Sequence, residues 1–133
     1  MKICAYKEIK LGDFTAKQFT LFECKHLFSV IFYWFVGDGW QDRYHDHAFR
    51  AVSLRLWGSY QERVMYPGGD VEEVSREASR WRYFPHRHMH MLGQSKGCLV
   101  MLVAGPWRRF WSEIKDGRVR TLTWGRKVSN VND

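Results

Sequence analysis

The sequence predicts an all-β sandwich or barrel, and three features lead to that class. Aromatic residues make up 17% of the 133-residue chain, and aromatic side chains favour strands. Segments that alternate apolar and polar residues, such as 52–57, recur along the chain. Turn signals return roughly every eight to twelve residues, a spacing typical of many short strands.

Two runs are apolar almost throughout and are predicted to be strands buried on both faces. They cover residues 25–36 and 98–104. Gly and Pro end them, at residues 37–39 and 105–106.

Other predicted strands have one apolar and one polar face. Residues 52–57 show this pattern, Gly58 ends it, and residues 60–66 are the predicted partner strand. Residues 95–97 predict a turn, and the Asp-Gly within 115–117 predicts a hairpin.

The two ends of the chain carry weaker signals. Residues 1–12 are predicted to form a short strand or arm, Asp13 to cap a short helix over 14–19, and residues 19–24 to form a strand. The polar tail from Val128 is predicted to be frayed.

Composition limits the class of protein. A chain of 133 residues is expected to form one domain, and 45% hydrophobic residues supply a full core. The net charge of +7 favours anionic partners. Three widely spaced cysteines, no signal-peptide layout and no apolar run of about 20 residues predict a cytoplasmic protein without a membrane segment.

His45 and His47 form the first candidate metal-binding pair. They are separated by one residue, so on an extended backbone both side chains point to the same side. Imidazole is a common ligand of divalent metals. The competing interpretation is a pair of ordinary loop histidines.

A second cluster contains His86, His88 and His90, which share one face if the segment is a strand. Facing inward, one of them completes a metal site with His45 and His47. Facing outward, they form a solvated basic edge. A single site explains both clusters, and which of the three is the third ligand stays open.

These residues resemble the two motifs of the cupin superfamily. Gly39 followed after five residues by His45-x-His47, with Gly58 later, is similar to the first motif. In the second, Pro85 and His90 fit, whereas three positions depart from the pattern: Ser79, Arg87 and Gln94.

The chain is also similar to small single-domain cupins of bacteria and phages, in segments 45–49, 53–62, 86–87 and 105–111. The resemblance implies a double-stranded β-helix (a cupin jelly-roll barrel), with at most a short N-terminal helix. The resemblance covers roughly residues 25–126. Within the single domain expected over 1–133, we therefore assign an N-terminal arm at 1–24, the barrel at 25–126 and a tail at 127–133.

The metal-binding glutamate of the first motif is replaced by Ala51 or Val52. The resemblance therefore implies a three-histidine site, as in thiol dioxygenases of the superfamily, unless Glu62 or Glu113 supplies a carboxylate from a neighbouring strand. We assign His45, His47 and His90 as ligands, with His88 as the next candidate, for a divalent Fe, Mn, Ni or Zn ion.

The first functional hypothesis is a metal-dependent oxygenase, isomerase or hydrolase acting on a small polar or anionic molecule. Tyr44 is assigned as the acid or donor, with Tyr60 as the alternative. Arg55 is assigned to hold the anion, and Arg82 and Arg87 are further candidates, because guanidinium binds carboxylate and phosphate in a bidentate manner.

The second hypothesis is a non-catalytic cupin that binds a small anion, a nucleotide or a host protein. The missing glutamate and the basic charge favour it. A homodimer formed through sheet edges is a candidate assembly. Nucleic-acid binding ranks lower, because basic residues interleaved with aromatics at 80–83 and 107–111 also fit strands with one solvated face.

Overall fold

The computed structural model describes residues 1–76, 81–85, 88–108, 110–123 and 127–132, with only the backbone described at 110, 123 and 127–132. In these residues the chain forms eleven strands and no helix, which confirms the all-β prediction. The strands are β1 (Lys2–Leu11), β2 (Phe14–Glu23), β3 (Ser29–Trp40), β4 (Tyr44–His45), β5 (Ala51–Met65), β6 (Val71–Arg76), β7 (Trp81–Phe84), β8 (Met89–Ala104), β9 (Phe110–Lys115), β10 (Arg118–Thr123) and β11 (Lys127–Asn132).

The strands form one curled antiparallel sheet with the order β1-β2-β3-β8-β4-β9-β10-β11. The long strand β5 pairs with β8 along its whole length and also with β6 and β7. One end of β8 pairs with β3, whereas His90 at the other end pairs with β4. The two long strands therefore pass from one part of the sheet to the other, which is consistent with a jelly-roll barrel.

The bends in β5 and β8 occur at glycines that the sequence predicted as strand ends. Gly58 lies inside β5 with a φ of +77°, and Gly97 lies inside β8 with a φ of +132°. A Cβ on Gly58 would overlap the carbonyl oxygen of Gly97. The register shifts on both sides of Gly58, so these positions are bulges in continuous strands. The predicted stops at Gly58 and at 95–97 are wrong for that reason.

The predicted N-terminal helix is also wrong, because residues 14–19 belong to β2. Phe14, Ala16, Gln18 and Thr20 are buried while the residues between them are more exposed. This spacing has a period of two, which belongs to a strand and not to a helix. Asp13 lies in the tight turn between β1 and β2 and is therefore not a helix N-cap.

The two ends of the chain add edge strands. The arm predicted at 1–24 forms the hairpin of β1 and β2, and β2 pairs with β3. The tail predicted to be frayed instead contributes β11, whose backbone pairs with β10.

The core consists of two apolar clusters. One includes Phe49, Phe84 and Leu102, and the other includes Phe14 and Phe35. A cavity of about 250 Å³ is lined by residues of both clusters.

Cys4, Cys24 and Cys98 are free, and burial raises the pKa of the Cys98 thiol to about 11. No helix long and apolar enough to cross a membrane occurs in the part of the chain that the structure describes.

Candidate metal centre

Three histidines from two distant parts of the sequence meet on the inner side of the sheet. His45 in β4 lies opposite His90 in β8, and opposite residues of an antiparallel pair point to the same face. His47 follows two residues after His45, and its ring centroid lies 5.1 Å from that of His45 and 5.0 Å from that of His90. One potential ligand atom from each ring lies within 4.8 Å of the other two.

Asp46, between the two early histidines, fixes the segment that carries them. Its Oδ1 accepts a hydrogen bond of 2.6 Å from the Ser112 N–H, and its own N–H donates to the Ser112 carbonyl at 3.0 Å. Arg108 donates from Nη2 to the His47 carbonyl at 3.0 Å. The histidine pair is thus anchored to β9 and to the segment before it.

The spacing of the ring nitrogens fits a shared cation. Nε2 of His47 and Nε2 of His90 are 3.0 Å apart, a distance at which one ring donates a hydrogen bond to the other when no ion is bound. Two imidazole nitrogens that bind one ion at about 2.1 Å and at right angles are about 3.0 Å from each other. The donor set therefore suits a divalent transition metal, for which imidazole is a preferred ligand.

Glu62 of β5 sets the orientation of the His90 ring. Its Oε2 lies 2.5 Å from Nδ1 of His90, whose Nε2 faces His47. A carboxylate that accepts from Nδ1–H leaves the lone pair on Nε2, which is the nitrogen directed at the cluster.

Glu62 is itself held by two arginines. It is fully buried, and its Oε1 lies 2.8 Å from Arg76 Nη2 and 2.5 Å from Arg82 Nη1. Burial alone would raise the pKa of this carboxyl. Hydrogen bonds from His88 and His90, together with nearby positive charge, outweigh burial and hold the pKa of Glu62 well below its usual range.

The pKa values of two of the histidines favour neutral rings. Burial lowers the pKa of His47 well below its usual value, and His90 and His88 lower it further. Burial also lowers the pKa of His90, against the opposing effect of Glu62. Neutral imidazole is the form that binds a metal.

His88 belongs to a second group, formed with Glu62 and His90, whose potential ligand atoms also lie within 4.8 Å of one another. Here the Arg82 guanidinium already contacts both the carboxylate and Nε2 of His88, the latter at 3.0 Å. A second cation beside that guanidinium would be repelled. The group of His45, His47 and His90 is therefore the better candidate for a metal site, and these three residues line the cavity.

The cavity combines apolar walls with charged and polar groups. Ile31, Phe35, Leu102 and other apolar side chains form much of its lining. Three lysines also line it, Lys2 and Lys7 from β1 and Lys25 from the segment after β2. Three carboxylates line it as well, those of Glu23, Asp46 and Glu113. The cavity therefore presents apolar surface and charged groups of both signs beside the histidines.

The other predicted site residues lie in different places. Tyr44 precedes His45 on β4, so the two side chains point to opposite faces, and Tyr44 is not part of the cavity lining. Arg55 is buried on β5 outside the lining. Their predicted roles remain predictions. Tyr60 does line the cavity, and burial raises its pKa to about 12.

The remaining candidates are either paired or undescribed. Arg82 binds Glu62, and Glu113 lines the cavity while bound to Arg43 at 3.2 Å. His86 and Arg87 lie outside the described residues.

The ion-pair network behind His90 was not anticipated. From the sequence, Glu62 is a candidate metal ligand only, not a partner of His90. The available signal was the alternation of apolar Tyr60 and Val64 with polar Gln61 and Arg63, which puts Glu62 on the apolar side of the strand. The burial of Glu62 in β5 agrees with it. No signal in the sequence indicated Arg76.

No family model and no curated protein matches the sequence. Among solved structures, the chain is similar to the oxalate decarboxylase of Bacillus subtilis at pH 4.6, with a TM-score of 0.57 and 14% identity over 80% of this chain and 28% of that chain. A formate complex of the Lactobacillus farciminis oxalate decarboxylase gives 0.58 and 14%, over 77% and 30%. The chain thus spans less than a third of the length of these proteins.

At this identity the likeness concerns the fold. The similar proteins are cupins, and the curled antiparallel sheet of this chain agrees with their fold. The chain therefore has a jelly-roll fold like that of these oxalate decarboxylases.

Proposed function

We propose that the chain binds one divalent metal ion through His45, His47 and His90 and acts on a small anionic molecule bound in the cavity beside it. The observation that carries the proposal is the convergence of His45, His47 and His90 on the cavity, with one potential ligand atom from each ring within 4.8 Å of the other two. Bound there, a metal ion supplies Lewis acidity and open coordination positions.

The protein's own residues have separate tasks in this proposal. The three histidines hold the ion, and Glu62 keeps Nε2 of His90 free to bind it. Phe49 stacks on His47 with 5.4 Å between ring centroids, and Phe84 lies edge-on to His90 at 5.8 Å. These aromatic contacts keep water from one side of the histidine rings. Tyr60, with its raised pKa, stays protonated, so its hydroxyl can donate a hydrogen bond but does not act as a base.

In this proposal the anionic head group binds at the metal ion, and apolar residues such as Ile31 and Phe35 receive an apolar part of the molecule. The lining itself adds no net charge, because its three lysines are matched by three carboxylates. The similar Bacillus subtilis oxalate decarboxylase has Mn(II) centres, and the similar Lactobacillus farciminis enzyme is recorded with formate. These two similar structures support Mn(II) as the first metal to test and a carboxylate as the first class of ligand to test.

Metal analysis of purified variants tests the metal site. The parent chain, loaded with Mn(II) and dialysed, is expected to retain about one ion per chain, whereas His47→Ala retains little. His88→Ala and the exposed His26→Ala serve as controls that keep the ion. Loss of the ion in His88→Ala with retention in His47→Ala would move the site to the group of Glu62, His88 and His90.

Binding of matched carboxylates tests the ligand class. Calorimetry of the Mn(II)-loaded chain compares acetate with hexanoate, which has the same head group and four more methylene groups. If the apolar walls receive the chain, hexanoate binds at least roughly tenfold more tightly, since one fully buried methylene contributes about 0.8 kcal/mol. Equal affinities would contradict an apolar substrate.

The alternative is a binding module without catalysis. The replacement of the motif glutamate by Ala51 or Val52 favours it. A chain that binds the carboxylates equally well with and without metal would support this alternative over the enzyme.

A further inference from the structure

The outer face of one part of the sheet is apolar across six adjacent strands, β1, β2, β3, β8, β5 and β7. Paired residues form two apolar rows across all six strands and a third across β3, β8 and β5, which Lys17 on β2 and Glu8 on β1 continue. The rows are Ile3-Phe22-Val30-Val103-Val52-Tyr83, then Tyr6-Phe19-Phe32-Met101-Leu54-Trp81, and finally Trp34-Leu99-Trp57. We call these residues the apolar outer face.

The side chains between these positions point inward and belong to the core or the cavity. Ile31 and Leu102, for example, are buried neighbours of the outward Phe32 and Val103. On the three central strands, β3, β8 and β5, the outward positions named above hold no charged residue. A sheet with a solvated face normally alternates apolar and polar residues. These strands instead have the composition of strands covered on both sides, yet the described residues cover only the inner side.

The exposed area of this face matches what one partner contributes to a stable interface. Five of its side chains are more than half exposed, namely Ile3, Tyr6, Trp57, Trp81 and Tyr83. At roughly 100 Å² for each of these, and less for Phe19, Val52 and Val103, the face offers on the order of 700 Å². A standard protein interface buries about 800 Å² on each partner.

The chemistry of the face indicates which partner fits. The chain has a net charge of +7, so a surface built for an acidic partner would present lysine or arginine. The outward positions of the central strands are instead uncharged, and the surface that covers them must be apolar as well. A second copy of this chain supplies such a surface of the same size, and an interface between identical patches closes by twofold symmetry.

We propose that the chain forms a homodimer in which the apolar outer faces of two copies pack against each other. The interface is the face of the sheet and not its edges. The proposal is independent of metal binding, because the histidines lie on the opposite, inner side.

Two matched substitutions test the proposal. Val103 lies at the centre of the apolar outer face and Val119 lies on β10, and both are 37% exposed. Sedimentation velocity at micromolar concentration should show a dimer for the parent and for Val119→Arg. Val103→Arg should sediment as a monomer, with a dissociation constant raised at least 100-fold. A monomeric parent, or a dimer that survives Val103→Arg, would overturn the proposal.

Further measurements separate dimer loss from misfolding and from other partners. Val103→Arg should keep the far-ultraviolet circular dichroism of the parent. If Val103→Arg does not keep that spectrum, Trp81→Ala is used in its place. Trp81→Ala removes an exposed ring from β7 without burying a charge, and Tyr66→Ala, at another exposed aromatic residue, is the control. Trp81→Ala should weaken the dimer and Tyr66→Ala should not. A monomeric parent that co-sediments with phosphatidylcholine vesicles would assign the face to lipid instead.

Discussion

Nδ1 of His90 lies 2.5 Å from Oε2 of Glu62, and this contact joins the histidine cluster to a buried ion-pair network. In the cupin motif the glutamate is a metal ligand, and the sequence replaces it. Glu62 is placed instead to act through His90, with Arg76 and Arg82 on its other oxygen. The carboxylate is therefore a positioning residue in the proposed site.

The first prediction concerns the charge of Glu62. Glu62→Gln should weaken Mn(II) binding by about 10- to 100-fold, the usual effect of removing a carboxylate behind a histidine ligand. It should also lower the free energy of unfolding by about 3–5 kcal/mol, because Arg76 and Arg82 lose their buried partner. Metal affinity is measured by competition with a chelator at a temperature where circular dichroism shows the variant folded.

The matched control is Glu73→Gln on β6. Glu73 forms an exposed ion pair with Arg63 at 3.5 Å, and such pairs contribute about 0–1 kcal/mol. Metal affinity should stay unchanged in this variant. Unchanged metal affinity in Glu62→Gln as well would contradict the role given to the His90–Glu62 contact.

The second prediction concerns pH and the metal-free chain. The folded-state pKa of His47 lies well below 6.5, the value expected for the unfolded chain. At a pH between these two pKa values, the unfolded chain binds more protons than the folded chain. Stability is therefore constant above about pH 6.5 and falls as the pH drops below it, by up to about 1.4 kcal/mol per pH unit for each such group. Urea unfolding between pH 8 and pH 5 measures this slope.

The lowered pKa of Glu62 acts in a separate window. Its stabilisation is present above the unfolded-state value of about 4.5 and is lost as the pH falls further toward the folded-state pKa. His47→Ala should thus flatten the slope just below pH 6.5 and leave the more acidic loss in place. Exposed His26→Ala should leave both slopes as in the parent chain. An unaltered slope in His47→Ala would show that this histidine is not the titrating group.

The third prediction concerns the bend of the two long strands. Gly58 has a φ of +77°, and a Cβ there would overlap the Gly97 carbonyl. Gly58→Ala should cost about 3 kcal/mol or more, because backbone strain and a clash with backbone act together. Gly68→Ala is the control, since Gly68 has a φ of +98° but nothing within 4 Å of a built Cβ. It should cost only about 1 kcal/mol. Equal losses in urea unfolding would show that the close approach at Gly97 is unimportant.

The same bend cannot be predicted from the local sequence. Gly58 and Gly97 predict strand ends, because a glycine with a turn signal is usually a stop. A bulge has the same local signature, and only the pairing of β5 with β8 on both sides of Gly58 separates the two. The class of fold was predictable because alternation and aromatic content act locally, whereas strand continuity depends on the partner strand.

The candidate site was predictable to a similar degree. The spacing of His45 and His47 places both rings on one side, and a shared site predicts that a later histidine joins them. Selecting His90 over His88 required the register of β8 against β4 and β5, which places His90 opposite His45 and leaves His88 beside Arg82. Register is set by the whole sheet and cannot be obtained from the spacing of the cluster itself.

The last prediction compares three buried serines. The hydroxyls of Ser29 and Ser53 have no hydrogen-bond partner among the described residues. Ser95 Oγ contacts the carbonyls of Phe35 and Ser59 and accepts from the Gly97 N–H. Removing an unpaired buried hydroxyl relieves a desolvation cost, whereas removing a paired one leaves its partners unsatisfied, at about 1–3 kcal/mol. Ser29→Ala and Ser53→Ala should thus be neutral or stabilising, and Ser95→Ala destabilising, in urea unfolding.

Ser53 differs from Ser29 because it lines the cavity. If its hydroxyl donates to the anion in the proposed site, Ser53→Ala weakens hexanoate binding to the Mn(II)-loaded chain by about 10-fold, the effect of one hydrogen bond to a charged group. Ser29→Ala has no such effect, because its hydroxyl lies outside the cavity lining. A loss of stability in Ser53→Ala with unchanged hexanoate affinity would instead show that this hydroxyl is satisfied within the folded chain and does not meet the ligand.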